Sequence, residues 1–558
     1  MKIFRNLLLI SALVFMTACE TTELEILDNP NSVSAGLIDP DFLFHNVQLG
    51  FKNFIFNAND FGSQTTRMTH MYGPTYDNAF SSSAMNTVWS QAYATVLADI
   101  EALLPVAQQK QLYVHTAAAK LIKAYVYVTL VDMFGSVPYT EAIKGSENFN
   151  PKADDGKAIY QAMFKLIDEA IVDLGKTALA NPKNDLFYNG NKNNWIAMAN
   201  TLKIKMYNTV RLDASFNSAA AITALSTANI IDTRAEDFVF KYGANRSNPD
   251  TRHPFYTQHY ETENGDYMSN YYLWTLVAEK GFQDPRAKFY FYRQDIDASN
   301  EDSFTLDCPG FTYPSHYAAK KSTYVPTIGV PYCTLDYNYP GKPYTTAMGY
   351  WGRDHGDNSG IPPDGTKRTV YGLYPGGGKY DIGDGKSTKT SGTVGAKGAG
   401  YTPLLLSSYT YFMLAENILT SNPALARTHI DTGIRRSFET VNAFAPLDAA
   451  AVAISATAIT NYMNFVLAAY DSASATGKKE ILMKEYYITL WGCGMEAYNN
   501  YRRTGLPSNM QPTREAISGP FYRSFLYPND YVVLNNNSTQ KTNTTQVFWD
   551  TNPAGFIN

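Results

Sequence analysis

Thr116 to Pro138 reads TAAAKLIKAYVYVTLVDMFGSVP. Ala117, Ala118 and Ala119 are small and helix-forming. Leu121, Ala124, Tyr125 and Val128 then recur at the spacing of one helical face. The spacing predicts a helix over 116–131 that runs on toward Phe134, where Gly135, Val137 and Pro138 stop it. Similar patterns lie on either side. Met85 to Leu104 places Val88, Trp89, Ala92, Val96 and Ile100 near one face. Ile159 to Leu174 repeats the pattern with Met163, Leu166, Ile167 and Ala170, and Trp195 to Val210 with Ala199, Leu202 and Met206. Helical spacing resumes at Leu404 to Leu419, Asp431 to Val441, about Ile459 to Tyr470, and Lys478 to Tyr501. Helices in succession joined by loops predict a mostly α fold of tetratricopeptide-like helix pairs. An ordinary helical bundle would give a related pattern, because the period is irregular.

Between these blocks, from about 236 to 403, the helical spacing fades. DYNYPGKPYTTAMGYWGRDHGDNSGIPPDG spans Asp336 to Gly365, and YGLYPGGGKYD spans Tyr371 to Asp381. Irregular stretches this long in a compact protein are normally functional or disordered, and their aromatic density argues against disorder. The expected architecture is a helical scaffold, about 40–235 and 404–501, supporting a large irregular loop-rich ligand-binding region. No internal repeat divides the chain, so residues 19–558 are read as one composite domain.

The first eighteen residues are read separately. Lys2 and Arg5 precede an apolar run from Leu7 to Phe15, which is too short to span a bilayer. Met16, Thr17 and Ala18 then lead into Cys19. A small residue before a cysteine at this point reads as a lipoprotein processing site, with 1–18 removed and Cys19 acylated. Several acyl chains make a stable membrane anchor where one does not. An ordinary secretion signal that happens to contain a cysteine is the alternative. Glu20, Glu23 and Glu25 follow as an acidic tether.

Composition narrows the function classes. The formal net charge is -5 over 558 residues, so no long-range field favours nucleic acid. Eight His and four Cys are few for this length, and no CxxC pair or HExxH motif supports zinc. With Cys19 acylated, Cys308, Cys333 and Cys493 remain. A Cys308–Cys333 bridge is left open. No GxSxG elbow or Walker A loop is present, and an enzyme is not expected. Asp336, Asp354, Asp357 and Asp364 raise calcium, but their spacing does not match an EF-hand loop. No cofactor is expected.

The 41 Tyr, 30 Phe and 6 Trp stand out, since Tyr joins an apolar ring to a polar tip. Sugar recognition needs flat apolar faces flanked by groups that satisfy hydroxyls. Trp351, Tyr350 and Tyr344 lie close to Arg353, Asp354 and His355, and Tyr371 and Tyr374 add rings in a glycine-permissive loop. The expected platform therefore centres on Trp351, with Tyr344, Tyr371, Tyr374, Arg353 and Asp354. Asn338 and Asn358 could add amide hydrogen bonds. A rigid structural loop with Asp354 and Asp357 capping turns would explain the same residues. Arg67, His70, Met71, Tyr72 and Tyr76 form a second candidate wall, from which Tyr72 and Tyr76 are taken as ligand contacts. Arg502 and Arg503 read as structural forks that tie a helix end to loop carbonyls and carboxylates.

Several motifs together resemble the SusD/RagB family of Bacteroidetes nutrient-binding lipoproteins. They are the lipoprotein start, LDNPN at Leu27 to Asn31, and DMFGSVPYTEA at Asp132 to Ala142. They continue with GRDHGDNSGIPPDG at Gly352 to Gly365, GLYPGGGKYD at Gly372 to Asp381, and YFMLAEN at Tyr411 to Asn417. AYNNYRRTGLP at Ala497 to Pro507 precedes YRSFLYPNDYVVLN at Tyr522 to Asn535. The resemblance covers nearly the whole chain. It implies four tetratricopeptide-like helix pairs under an irregular binding half. It also implies a nonenzymatic, lipid-anchored cap at the outer-membrane surface. That cap would capture an oligosaccharide and deliver it to a SusC-like TonB-dependent transporter. A peptide or another non-glycan nutrient is the alternative ligand.

Overall fold

The structure, a computed structural model, describes residues 39–262, 265–296, 314–331, 349–357, 367–388 and 392–557. Cys19, Cys308, Cys333, Asp336, Asn338, Tyr344, Asn358 and Asp364 lie outside the described residues.

Helix α1, Pro40–Thr65, starts where the Asp39 carboxylate accepts the Asp41 amide at 2.9 Å and Pro40 enters the first turn. Its Phe44, Val47, Phe51, Phe54, Ile55 and Ala58 are buried. Apart from Ala58, each of these side chains contributes about 1.5–3 kcal/mol by leaving water. Asn86–Ser90 continues through a wider π turn, Gln91–Leu97, into α2, Ala98–Gln109. Helix α3, Tyr113–Phe134, is buried on nearly every side. It is therefore a hub that neighbours surround, which explains its apolar, weakly amphipathic sequence. Two short strands, β1 (Val137–Pro138) and β2 (Ala153–Asp154), pair antiparallel before α4, Gly156–Leu174. Helix α5, Lys192–Thr209, and the short α6, Ser218–Leu225, complete the first block.

The return block comprises α9, Ser407–Ile418, and α10, Pro423–Asn442. It continues with α11, Ala456–Ser472, α12, Ala475–Thr489, α13, Gly494–Thr504, and α14, Asn529–Leu534. The packing partners α2–α3, α4–α5, α9–α10 and α11–α12 are the tetratricopeptide-like pairs of a mostly helical fold. Several helix limits differ from the sequence expectation, three of them for a specific reason. Residues 404–406 belong to or follow a strand, and α9 starts at Ser407, whose amide reaches the Asp237 carboxylate at 2.6 Å. Helix α10 begins at Pro423, not Asp431, because Asn422 caps it. The run from Lys478 to Tyr501 is two helices separated around Gly492, whose φ is 91°.

The middle section carries α7, Pro254–Tyr260, and α8, Asn270–Val277. Strand β3, Phe238–Lys241, pairs antiparallel with β6, Tyr401–Leu405; β4, Phe291–Tyr292, pairs antiparallel with β5, Val370–Tyr371. This section is held to the return helices by buried polar bonds. Lys484 of α12 pairs with Glu279 at 3.0 Å, and Arg286 reaches Asp284 at 2.7 Å and the Tyr462 hydroxyl at 2.8 Å. Buried charges are tolerated because they are paired. Arg502 and Arg503 act in the same way. Arg502 donates to the carbonyls of Arg523 and Asp132 at 2.7 Å, while Arg503 grips Glu416 at 2.6 and 2.8 Å.

Candidate functional site

Four separate stretches meet on one side of α8. Thr69 bridges Met268, and Ser269 bridges Arg353. The His70 amide reaches the Tyr267 carbonyl at 2.8 Å, and the Arg353 amide reaches the Met268 carbonyl at 3.0 Å. Trp351 exchanges backbone contacts with Thr369, its amide donating to the threonine hydroxyl at 2.8 Å. Residues 67–72, 265–270, 351–354 and 367–369 thus form one hydrogen-bonded floor, and their side chains gather around Tyr267.

The Arg353 guanidinium lies 4.5 Å from the Tyr267 ring centre and that of Arg368 lies 5.5 Å from it. Cations held against an aromatic face gain from its negative quadrupole. His70 meets Tyr72 edge-on at 4.8 Å. Tyr72 is the open member of the group, with 45% of its surface exposed. Arg368 is buried, and its Nη1 donates to the Gly265 carbonyl. Its Nε and Nη2 have no hydrogen-bond partner among the described residues.

Two carboxyls complete the recess. Asp266 is part-exposed, directly after the carbonyl that holds Arg368. Asp60, on α1, accepts from Gln64 at 2.8 Å through Oδ2, while its Oδ1 is buried without a partner among the described residues. Burial, then the nearby Asp266 charge, pushes Asp60 up to about 8. Burial also pushes Asp266 up to about 6, against the pull of Arg368. His70 is driven down to about 3 by burial and then by Arg353, so it stays neutral. The Tyr72 hydroxyl is raised to about 12, chiefly by burial of its oxygen end and next by Asp266, and stays protonated. At neutral pH the recess offers an open ring face, guanidinium donors and carboxyl groups of both protonation states.

The Trp351-centred platform expected from the sequence requires correction. Trp351 is 6% exposed and Tyr371 1%. Tyr371 is stacked between Phe255 at 4.0 Å and Trp491 at 4.7 Å, leaving neither ring face for a ligand. Tyr374 is buried against Tyr290 and edge-on to Phe444. Tyr76 is buried, its hydroxyl held by Arg67 at 3.0 Å. Asp354 is a brace: its carboxylate accepts from Asn270 and Gln511, each at 2.8 Å. Glycines in this section permit tight backbone contact. A Cβ at Gly395 would lie 2.1 Å from the Gly378 carbonyl oxygen, and one at Gly377 would lie 2.6 Å from the Gly398 carbonyl carbon. The Gly- and Tyr-rich run from Tyr371 to Asp381 is therefore core, and of the expected contacts only Tyr72 presents an open face. Arg353 reaches the same recess, and Tyr344 lies outside the described residues.

Comparison with known proteins agrees with this architecture. The family model described as SusD-like, starch-binding associating with outer membrane, matches residues 30–328 and 364–528. The chain belongs to the SusD/RagB family. This SusD-like protein also resembles a solved SusD/RagB family protein from Bacteroides thetaiotaomicron at 19% identity and a TM-score of 0.65, covering 92% of this chain and 100% of that one. A solved chitin-binding protein matches at 19% identity and a TM-score of 0.62, with 92% and 100% covered. A chitin-binding SusD homolog from Flavobacterium johnsoniae matches at 16% identity and a TM-score of 0.59, with 91% and 99% covered. At these identities the likeness is one of fold. No curated protein sequence matches the chain. The family is described as associated with the outer membrane, and among the described residues no helix is long and apolar enough to cross a membrane.

The SusD-like protein has a second concavity, a cleft of about 600 Å³ lined by Trp89, Tyr93, Pro138, Phe149, Tyr531 and Leu534. Apart from the exposed Asp530 carboxylate, its neighbouring polar groups are engaged internally. The Tyr93 hydroxyl donates to the Pro138 carbonyl, and the Asn148 and Asn535 amides donate to Glu141 and the Pro151 carbonyl. The cleft offers apolar contact with few partners for hydroxyls, whereas the Tyr72 recess offers both. Sequence reasoning missed Asp60, Asp266, Tyr267 and Arg368. Each is an isolated polar or aromatic residue with no local pattern, and only the meeting of four distant stretches makes them a group.

Proposed function

We propose that this protein captures a saccharide nutrient at the outer-membrane surface, holds it without cleaving it, and delivers it to a SusC-like TonB-dependent transporter. In this reading Cys19 carries the lipid anchor. The observation that carries the proposal is the recess at Tyr72. An exposed ring stands beside buried, unpaired guanidinium nitrogens of Arg368 and a carboxyl without an ion-pair partner, the combination that a polyhydroxylated ring requires. The family's description as starch-binding, and the naming of two structural relatives as chitin-binding, favour a glycan over a peptide.

The test is a titration of the purified chain against neutral oligosaccharides beside a peptide mixture, with product analysis after prolonged incubation. Glycan binding without release of new reducing ends is expected. Tyr72→Ala should weaken it about tenfold or more, the usual scale for losing an aromatic anchor, and should leave the melting temperature nearly unchanged because the ring is half exposed. Binding of peptides and of no glycan would overturn the reading.

A further inference from the structure

We propose that the Tyr72 recess selects uncharged sugar rings, gripping adjacent hydroxyls between Arg368 and Asp266. The inference rests on the glycan-capture reading and specifies the charge class of the ligand. Arg368 is only 5% exposed, yet just one of its side-chain nitrogens is engaged. Its Nε and Nη2 lack partners among the described residues, and leaving buried donors unpaired is costly. Both are enclosed, and a ligand oxygen that displaced the side chains covering them would satisfy them. The Gly265 carbonyl that holds Nη1 belongs to the residue before Asp266, so the guanidinium and that carboxyl are neighbours by construction. Asp266 has no hydrogen bond or ion pair to any described residue, and it remains available as an acceptor.

One donor group and one acceptor group side by side match a vicinal diol, because each hydroxyl both donates and accepts. A charged ligand fits less well. The carboxylate of a uronic acid, drawn to Arg368, would meet Asp266. The ammonium of an amino sugar, drawn to Asp266, would meet Arg368 and Arg353, both set against the Tyr267 ring. Like charges at such range are destabilising when partly buried. The neutral ring avoids both conflicts and can lay an apolar face on Tyr72.

The test compares binding of maltoheptaose, xylohexaose and chitohexaose with oligogalacturonate and the chitosan hexamer, using the full chain at low salt and at 0.5 M salt. At least one neutral oligosaccharide should bind, and the charged oligomers should bind about tenfold or more weakly than it. Asp266→Asn, a part-exposed and isosteric change, should weaken the neutral ligand several-fold while circular dichroism and thermal midpoint stay unchanged. Arg368→Lys, which keeps the charge and loses the fork, should weaken it further. Preferential binding of oligogalacturonate or the chitosan hexamer would overturn the subsite while leaving glycan capture intact. Unchanged affinity in a folded Asp266→Asn protein would do the same. Binding of peptides alone would instead remove the glycan reading on which the inference depends.

Discussion

Asp60 shows how one residue can record the cost of building a recess. It sits on α1 among apolar positions, with only Gln64 bonding its carboxyl. An unfolded chain releases such a proton near pH 4, whereas the folded chain holds it to about 8. Between these values the folded state binds more protons than the unfolded one, so stability falls as pH rises. The stability tied to this proton is fully present at acidic pH and is lost as pH climbs through about 8. Asp60→Asn removes that slope. Thermal melts at pH 4, 6 and 8 should show the variant close to the parent at pH 4 and progressively more stable toward pH 8, by about 1 kcal/mol or more there. An offset of equal size at every pH would show that Asp60 does not hold the extra proton. Tyr72 and Tyr371 make the complementary point. Both are tyrosines beside glycine-bearing loops, and no local pattern says that one is open while the other is sandwiched by Phe255 and Trp491.

At the scale of elements, the crossing of α1 and α13 is the tightest join between the two helical blocks that the glycines reveal. A Cβ on Gly62 would lie 2.3 Å from the Gly494 carbonyl carbon, and one on Gly494 would lie 2.2 Å from the Ser63 nitrogen. Both obstacles are backbone, so neither can rotate away. Alanine gains about 1 kcal/mol of helix propensity over glycine, but forcing the two helices apart costs more than that. Gly62→Ala should destabilise the protein by about 3 kcal/mol, read as a lower denaturant midpoint with an unchanged slope. A stabilised variant would mean that the helices do not cross at backbone contact. The helix limits follow the same division between local and distant causes. Periodicity located α4 and α5 to within a few residues because their apolar faces and the caps at Asp155 and Asn191 are local signals. It misread residues 404–406, where pairing with β3 overrides a helical spacing.

At the scale of the whole molecule, the helical pairs carry a middle section that is less irregular than its composition indicates. Helix α8 and the residues after it are fixed to α12 through Lys484, Glu279 and the Tyr272 hydroxyl. The recess therefore stands on a rigid base, as a capture site requires. In the proposed reading, Cys19 attaches this whole unit to the membrane. In Cys19→Ser cells the protein should leave the membrane fraction, and protease accessibility on intact cells should fall. Firm membrane association in that variant would refute the anchor. The wild-type protein, gently extracted, should bring down a much larger β-barrel protein, and repeated recovery alone would count against the transporter partnership.

The sequence by itself determined the mostly helical class, the positions of most scaffold helices, the structural use of Arg502 and Arg503, and the family. These rest on signals carried within a few residues: periodic apolar spacing, caps and short ordered motifs. It also marked Tyr72 and Arg353 as residues of interest. Only the tertiary structure decided which rings are open. Exposure of an aromatic face depends on what covers it, and the covers of Tyr371, Tyr374 and Trp351 come from far along the chain or from tight glycine packing. The placing of Arg368 and Asp266 near Tyr72, without an ion pair between them, is likewise a product of four distant stretches meeting, and the chemistry of the recess exists only where they meet.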